Sequence, residues 1–224
     1  MAEKMNTNAP IAEGAKNQNE EFLLKYKNAI IGCLVALVLI VGGCIFYKNY
    51  KADKQEEAST AIAKAQELFG NQNYELALNG SDSLNVKGFL AIASEYSSTD
   101  AGNLAQLYAG LCYANLDKWQ EAAQCLEQFD GADDQMISPA ALGALGNVYA
   151  HLNDLDKAVS TLKKAAEQAD NNSLSPTFLI QAGQILEEQG KKAEALTLYK
   201  QIKEKYFQSM QYQTIDEYIE RVSE

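Results

Sequence analysis

Histidine and arginine are almost missing from this chain, which has one of each, His151 and Arg221, among 224 residues. A single histidine cannot assemble a metal cluster or a hydrolytic triad, and no glycine-rich phosphate loop occurs. The acidic turn at 130–134 lacks the alternating carboxylates of a calcium loop. We therefore expect no enzyme activity, no metal and no cofactor. A chain with a net charge of −11 also lacks the clustered cations that grip phosphate, so nucleic acid is not an expected partner.

Proline and glycine are also scarce, with three and 14 residues. Apolar residues make up 47% of the chain and charged residues 22%, so a sizeable core can form. This composition favours a helical protein over a turn-rich β protein. The first 47 residues carry equal numbers of acidic and basic residues, so the negative charge belongs to the remainder of the chain.

One long apolar run is present, AIIGCLVALVLIVGGCIFY at 29–47, and it carries no charge. As a helix rising about 1.5 Å per residue, it would span roughly 28 Å, close to the hydrocarbon thickness of a bilayer. Lysines flank both ends of the run, and tyrosines stand at the depth of the membrane interface. The run predicts an uncleaved, single-pass helix in a cell inner membrane.

Two other interpretations of this run stay open, a cleaved signal peptide and a lipoprotein signal. A cleaved signal peptide would need small residues after the run, whereas Ile45, Phe46 and Tyr47 follow. The stretch 41–44, VGGC, resembles a lipobox, whose cysteine is acylated after cleavage, although the same bulky residues stand where a polar tether is usual. Acylation at Cys44 would make the protein an outer-membrane assembly lipoprotein.

The segments on either side of the run are polar. Residues 1–28 lack periodicity and are predicted to form a disordered N-terminal tail. Residues 48–58 are strongly charged and are predicted to continue the helix as a linker.

A spaced pattern of small and large residues recurs in the rest of the chain. Self-similarity at such a period indicates stacked pairs of amphipathic helices, because one hairpin cannot bury its apolar faces alone. The small residues would let the two helices of a pair approach each other, and the large residues would fill the space beside the contact. Residues 117, 153 and 190 align with one another and are predicted to form the turns between the paired helices. The matched sets are Gly110, Tyr113, Ala122 and Leu126; Gly146, Tyr149, Ala158 and Leu162; and Gly183, Leu186, Ala195 and Tyr199.

This pattern resembles the tetratricopeptide repeat, whose usual period of about 34 residues is slightly shorter than the spacing found here. The resemblance implies an all-α fold, a tetratricopeptide-repeat α-solenoid of about four helical hairpins plus a capping helix. From the apolar run, we expect this solenoid to be preceded by one transmembrane helix. The repeats are expected over 59–208, as hairpins at 59–96, 103–134, 139–172 and 176–208, and the capping helix is expected at 209–224.

The first of these hairpins is degenerate. Asn73, Tyr74 and Ala77 resemble the turn and the small residue of a second helix, and IASEY at 92–96 matches IKEKY at 202–206. The first stretch is longer than its counterpart, so we expect an insert at 79–86, which begins with an Asn-Gly turn signal.

The resemblance also implies where a partner would bind, because the first helices of such repeats line a concave surface. The corresponding positions run from apolar to acidic and contain no Lys or Arg, which excludes the groove that clamps a chaperone's C-terminal carboxylate. They suit an apolar or basic extended segment of a protein or peptide partner. The candidate partner groove consists of Leu104, Leu107, Leu111, Asn115, Gly143, Asn147, His151, Ile180, Gln184, Glu187 and Glu188.

Two cysteines, Cys112 and Cys125, fall on the two helices of one expected hairpin. Two packed thiols are expected, because the positions do not face each other, while a disulfide stays open if the domain is exported. Trp119 is expected to pack on the turn side of the same hairpin.

The layout of a short tail, one anchor and an acidic repeat domain resembles the bacterial ancillary SecYEG translocon subunit family. This likeness implies a membrane-anchored protein–protein interaction module that recruits a polypeptide partner at the inner membrane, in secretion or envelope chaperone networks. The alternative is a structural scaffold of an envelope assembly complex. Flanking lysines do not decide orientation, but a short tail before one anchor resembles a signal-anchor, so the repeats are expected in the periplasm. The oligomeric state stays unknown.

Overall fold

The computed structural model describes residues 13–131 and 134–223, with side chains from residue 24 onward. It separates into two units, Met1–Ala52 and Asp53–Glu224. Within the described ranges, the regular structure consists of α-helices, a 3-10 helix at Met210–Gln213 and two short strands, β1 (Gly80–Ser81) and β2 (Val86–Lys87). The helices are α1 (Glu13–Gly70), α2 (Tyr74–Asn79), α3 (Phe89–Glu95), α4 (Asp100–Asn115), α5 (Trp119–Gln128), α6 (Ile137–His151), α7 (Leu155–Ala169), α8 (Ser175–Glu188), α9 (Lys192–Lys205) and α10 (Ile215–Ser223).

The apolar run lies within α1, and its side chains from residue 31 to 47 are exposed. Over Leu24–Gly70 this helix is long and apolar enough to cross a membrane, a test that a signal sequence near the N-terminus also passes. The predicted disorder of the tail is wrong for residues 13–28, which are helical, while residues 1–12 lie outside the described residues. Residues 48–58 continue the helix without a break.

In each of the four hairpins, a tight turn of the same kind joins the first helix to the second. One residue in each turn is left-handed: Gln72 (φ 61°), Asp117 (φ 57°), Asn153 (φ 61°) and Gly190 (φ 73°). The next residue donates its N–H to the carbonyl five positions earlier, at 2.8–2.9 Å, which satisfies a carbonyl at the end of the first helix. Asn, Asp and Gly tolerate this conformation better than most residues, so the aligned positions 117, 153 and 190 fix where the chain reverses.

The paired helices cross closely at a glycine in the first helix. A Cβ placed on Gly110 or Gly146 would lie 2.6 Å or 2.7 Å from the Cγ of a leucine on the second helix, Leu126 or Leu162. In the last hairpin, Cε1 of Tyr199 would lie 2.4 Å from a Cβ on Gly183. The space of the missing side chain is therefore filled by the large residue of the facing helix, and the predicted all-α solenoid fold is confirmed.

The first hairpin departs from this scheme because its second helix is interrupted. Helices α2 and α3 are separated by the antiparallel pair β1–β2, in which Gly80 pairs with Lys87 and Ser81 with Val86. The interruption falls on the expected insert at 79–86, but the sequence did not predict the two strands. Apolar residues on both sides of it, including Leu78 and Phe89, remain buried, so the broken helix still contributes to the core.

Two clusters of buried side chains form the core of the unit Asp53–Glu224. One extends from the last turns of α1 through α2 and α3 to α4, and the other from α4 to α10. The last helix covers the end of the second cluster with Ile215 and Val222. Cys112 and Cys125 are both free thiols, and burial raises the pKa of the Cys112 thiol to about 12.

We expect Gly146→Leu to destabilise the domain strongly, because its side chain would collide with Leu162 where the two helices cross. Overpacking of this kind costs about 1–3 kcal/mol, which corresponds to a fall in melting temperature of roughly 2–12 °C for a domain of this size. Circular dichroism of the full-length protein measures the change. Ala140→Leu is the matched control, because Ala140 is exposed on the same helix. Equal melting temperatures for the two variants would contradict the crossing described above.

Candidate functional site

Part of the predicted concave surface forms a cleft between α6 and α8. Four predicted residues, Asn147, His151, Gln184 and Glu188, line a cavity of about 320 Å³. The cavity is completed by Ala150, Gln181 and Ile185. We call these seven residues the α6–α8 groove. Because α6 and α8 are the first helices of adjacent hairpins, the groove exists only when the two hairpins stack.

A second cavity of about 420 Å³ adjoins the groove and reaches the last helix. Gln184 and Glu188 line both cavities, and Glu187 and Arg221 complete the second. The predicted groove residues Glu187 and Glu188 thus lie where α8 meets α10. Sequence reasoning did not include Arg221, although it is the single arginine of the chain and lies on a strongly amphipathic helix.

Arg221 binds the carboxylate of Glu187 with two hydrogen bonds. Its Nε donates to Oε2 at 2.8 Å and its Nη2 donates to Oε1 at 2.7 Å. The hydroxyl of Tyr199 also donates to Glu187, and the ring of Tyr218 lies 4.8 Å from the guanidinium carbon. The arginine lowers the pKa of Glu187, while burial raises the pKa of Tyr199. This bidentate ion pair between Arg221 and Glu187 connects α10 to the C-terminal end of α8, beside the groove.

The α6 side of the groove carries an aromatic stack. The imidazole of His151 lies parallel to the indole of Trp119, with ring centroids 3.8 Å apart and planes 1° apart. Trp119 begins α5, so the stack connects one hairpin to the next. Trp119 packs near the turn, as expected, and one face of the His151 ring is covered by it. A ligand in the groove would therefore meet the edge or the other face of the imidazole.

The remaining predicted residues do not contribute to this cleft. Gly143 is buried, and a Cβ there would lie 2.2 Å from Cε1 of Phe178, so the next hairpin covers it. Leu107 is also buried in the core. The expectation that these two residues face a partner is thus corrected: both are packing residues. They are buried because first-helix positions also meet the neighbouring hairpin, an effect that spacing alone does not reveal.

Four other predicted residues lie elsewhere on the surface. Leu111 and Ile180 are half-buried against the core, and the exposed Asn115 donates its amide to the carbonyl of Leu111 at 2.8 Å. Leu104 lines a separate cavity together with Phe129 and other residues. The predicted groove is therefore divided, and α4 supplies none of the residues that line the cleft between α6 and α8.

One buried polar atom in the groove lacks a hydrogen bond. The side-chain oxygen Oε1 of Gln181 is buried and has no partner among the residues that the structure describes. A buried amide oxygen without a donor is unfavourable, and because this atom has no accessible surface, a ligand in the groove does not contact it. The exposed carboxylate of Glu188 adds negative charge to the groove.

The Arg221–Glu187 pair predicts a pH dependence of stability. The pKa of Glu187 lies below its ordinary value of 4.5 in the folded protein, so folding favours the ionised carboxylate. That contribution is present above the ordinary pKa and is lost as the pH falls through the folded-state pKa. We expect Glu187→Gln to lower the free energy of unfolding by about 1 kcal/mol at neutral pH, and this difference from the parent chain to be smaller at about pH 3.

Urea unfolding at the two pH values measures this difference. Glu188→Gln is the control, because the Glu188 carboxylate forms no ion pair within the described part of the chain, and its effect should not follow this pattern. A difference for Glu187→Gln that is equally large at both pH values would show that the ion pair does not contribute to stability.

Comparison with known proteins agrees with this architecture. A family model described as a tetratricopeptide repeat-like domain matches residues 20–217. Comparison with curated proteins gives no significant match. Two crystal structures of nearly identical TPR-like repeats, from a Podosopora anserina protein assigned as a kinesin light chain, each superimpose with a TM-score of 0.57 at 13% identity. One of them is a single-substitution variant.

Each superposition covers 75% of this chain, and 85% or 86% of the other chain. At this identity, the likeness shows the fold alone. Such repeats are typically scaffolds for protein–protein interaction rather than catalysts. Because the family model spans most of its length, the chain belongs to the tetratricopeptide repeat-like domain family.

Proposed function

We propose that this protein is a membrane-anchored interaction module that recruits a polypeptide partner through the α6–α8 groove. The observation that carries the proposal is the cleft itself: residues of two adjacent hairpins line an open cavity that contains the exposed side chains of Gln184 and Glu188. Residues 29–47 serve as the anchor in the inner membrane. An uncharged helix with exposed apolar side chains is unfavourable in water and is stabilised in a bilayer.

The setting that we propose is bacterial secretion or an envelope chaperone network. Its support is the layout of one anchor followed by an acidic repeat domain, which resembles the ancillary SecYEG translocon subunit family. The repeats then lie in the periplasm. In that compartment, a module of this kind would meet polypeptides that emerge from the membrane in extended form, which is the form that a groove between helices accepts.

A second candidate function is a structural scaffold of an envelope assembly complex. It is favoured by exposed apolar side chains between α9 and α10, where Phe207 is 61% and Met210 is 87% exposed. Exposed apolar side chains that lie close together often mark a protein interface. In this case the partner would bind beside the last helix, away from the α6–α8 groove.

Site-specific photocrosslinking distinguishes the two functions. A photoreactive benzoylphenylalanine replaces Gln184 in the groove, Met210 beside the last helix, or Lys163, which is exposed on α7 and serves as the control. We expect a discrete crosslinked product from position 184 in living cells and none from position 163. Products from position 210 alone would favour the scaffold and contradict the groove.

The orientation gives a separate prediction. We expect a C-terminal fusion to alkaline phosphatase to be active, and a C-terminal fusion to a fluorescent protein that matures only in the cytoplasm to stay dark. Bright fluorescence without phosphatase activity would place the repeats in the cytoplasm. The intact mass of the membrane-extracted protein tests the remaining alternative, since an acylated lipoprotein would begin at Cys44 and carry added lipid.

A further inference from the structure

We propose that one edge of the repeat domain, the edge at which α1 enters it, rests on the bilayer surface. Exposed apolar side chains on this edge insert into the interface between lipid headgroups and acyl chains. The inference rests on the membrane anchor, which is part of the proposed function. It adds a second contact with the same membrane, and the partner in this contact is lipid instead of a polypeptide.

A series of side-chain hydrogen bonds defines this edge within the unit Asp53–Glu224. It begins at Gln55, two residues into the unit, whose Oε1 accepts the N–H of Asp100 at the start of α4 at 2.9 Å. The further bonds are those of Asn103 with the backbone of Asp130 (2.8 Å), Asn171 with the carbonyl of Gln135 (3.1 Å) and Gln211 with Thr177 (3.0 Å). We call the segments that connect successive hairpins along this series the entry edge; they are residues 96–99, 129–131, 134–137, 170–174 and 206–214.

Most exposed large apolar side chains of the unit lie on the entry edge. Among the described residues beyond residue 52 there are seven such side chains, and the two outside the edge, Leu76 and Leu84, belong to the first hairpin. None of the seven lies in the turns within the hairpins, at 71–73, 116–118, 152–154 and 189–191, which form the opposite edge. The five on the entry edge are Met136, Ile137, Phe207, Met210 and Tyr212.

The length of the chain keeps the entry edge close to the membrane. Residues 48–52 separate the apolar run from Asp53. Because a fully extended chain gains at most about 3.6 Å per residue, Asp53 lies within about 22 Å of the end of the run. The anchor therefore attaches to the domain at this edge. A tether this short gives the edge a high effective concentration at the surface, so that a weak affinity for lipid is sufficient for contact.

The distribution of the apolar side chains favours a flat partner over a compact one. Met136 and Ile137 precede or begin α6, whereas Phe207 and Met210 lie before α10, two hairpins further along the domain. A peptide side chain or another compact ligand would meet only one of these groups, whereas a membrane surface along the edge can meet both. Aromatic residues such as Phe207 and Tyr212 are also suited to the interface, where a ring contacts acyl chains and a hydroxyl contacts water.

The carboxylates beside these side chains are compensated within the protein. Asp170 pairs with Lys205 at 2.6 Å, Asp216 pairs with Lys203, and Asp134 accepts N–H groups at the start of α6. These contacts reduce the cost of bringing the edge to the headgroups. The segments of the entry edge contain no lysine or arginine, so contact depends on apolar insertion and not on attraction to anionic lipid.

Quenching by brominated lipids tests the inference. Full-length protein is reconstituted alone, at a low protein-to-lipid ratio, into phosphatidylcholine vesicles with or without bromine on the acyl chains. A genetically encoded dansyl amino acid replaces Met210, or Lys192 in the matched control, which is exposed at the opposite edge. Because an inserted side chain lies about 5–10 Å into the interface, we expect bromine to lower the emission at position 210 roughly twofold and to leave position 192 unchanged. High salt should not weaken the effect at position 210.

Protein variants then test whether the edge acts as one surface. With the probe at position 136, the double variant Phe207→Glu and Met210→Glu should reduce quenching, because charge at one end of the edge lifts it from the lipid. Leu84→Glu is the matched control, since it adds a carboxylate at an exposed apolar residue outside the edge, and it should leave quenching at 136 unchanged. Circular dichroism verifies that each variant is folded.

The inference is overturned if bromine leaves the emission at position 210 unchanged, if positions 210 and 192 are quenched equally, or if Leu84→Glu acts like the double variant. A blue-shifted but unquenched probe at position 210 would show a contact between protein copies and contradict the lipid contact. Photocrosslinks from position 210 to a protein in cells, without quenching in vesicles, would assign the edge to a polypeptide partner.

The anchor and the groove are judged by separate measurements. Extraction of the protein from membranes by alkaline carbonate would remove the proposed anchor, and this inference with it. A protein that resists extraction but shows no quenching at position 210 would refute the surface contact alone. The photocrosslinks at position 184 decide the recruitment of a partner independently of both results.

Discussion

The repeat domain depends on the close approach of two helices at a glycine. Gly110, Gly146 and Gly183 each occupy a position where a Cβ would overlap a large side chain of the facing helix. The contact fixes the separation of the helices within a hairpin, and the face that each hairpin presents to the next follows from it. The groove between α6 and α8 is therefore a consequence of packing inside the hairpins, and the stability of the fold and the shape of the site are not independent.

The two sides of the groove are held by residues that are distant in sequence. On the α6 side, Trp119 of an earlier hairpin covers a face of His151. On the α8 side, Arg221 of the last helix pairs with Glu187. Side chains that are already held in place lower the ordering cost of binding, which favours a preorganised cleft.

The sequence predicted the parts of this structure that repeat. The crossing glycines and the turn positions 117, 153 and 190 recur at a nearly constant period, because the two helices of each hairpin pack against each other in the same way. Features that occur once could not be predicted in this way. The pairing of β1 with β2 has no second copy for comparison, and α5, with 10 residues, is shorter than α7, with 15, for a reason that the period does not reveal.

The candidate site was only partly predictable for a similar reason. Spacing identifies which residues lie on the first helix of a hairpin, but it does not tell which of them the next hairpin covers. Gly143 lies beneath Phe178, whereas Asn147, one turn further along the same helix, lines the cleft. The Arg221–Glu187 pair joins residues 34 positions apart, and neither belongs to a motif that would have linked them. Long-range contacts of single residues leave no periodic signal in a sequence.

The buried thiol of Cys112 gives the hairpin of α4 and α5 an internal reporter. With a pKa near 12 it stays protonated at neutral pH, and it has no access to solvent while the two helices are packed. A water-soluble alkylating reagent can therefore reach it only in molecules where α4 has separated from the helices packed against it. The rate at which that sulfur is labelled measures how often this part of the repeat domain opens, without any engineered probe.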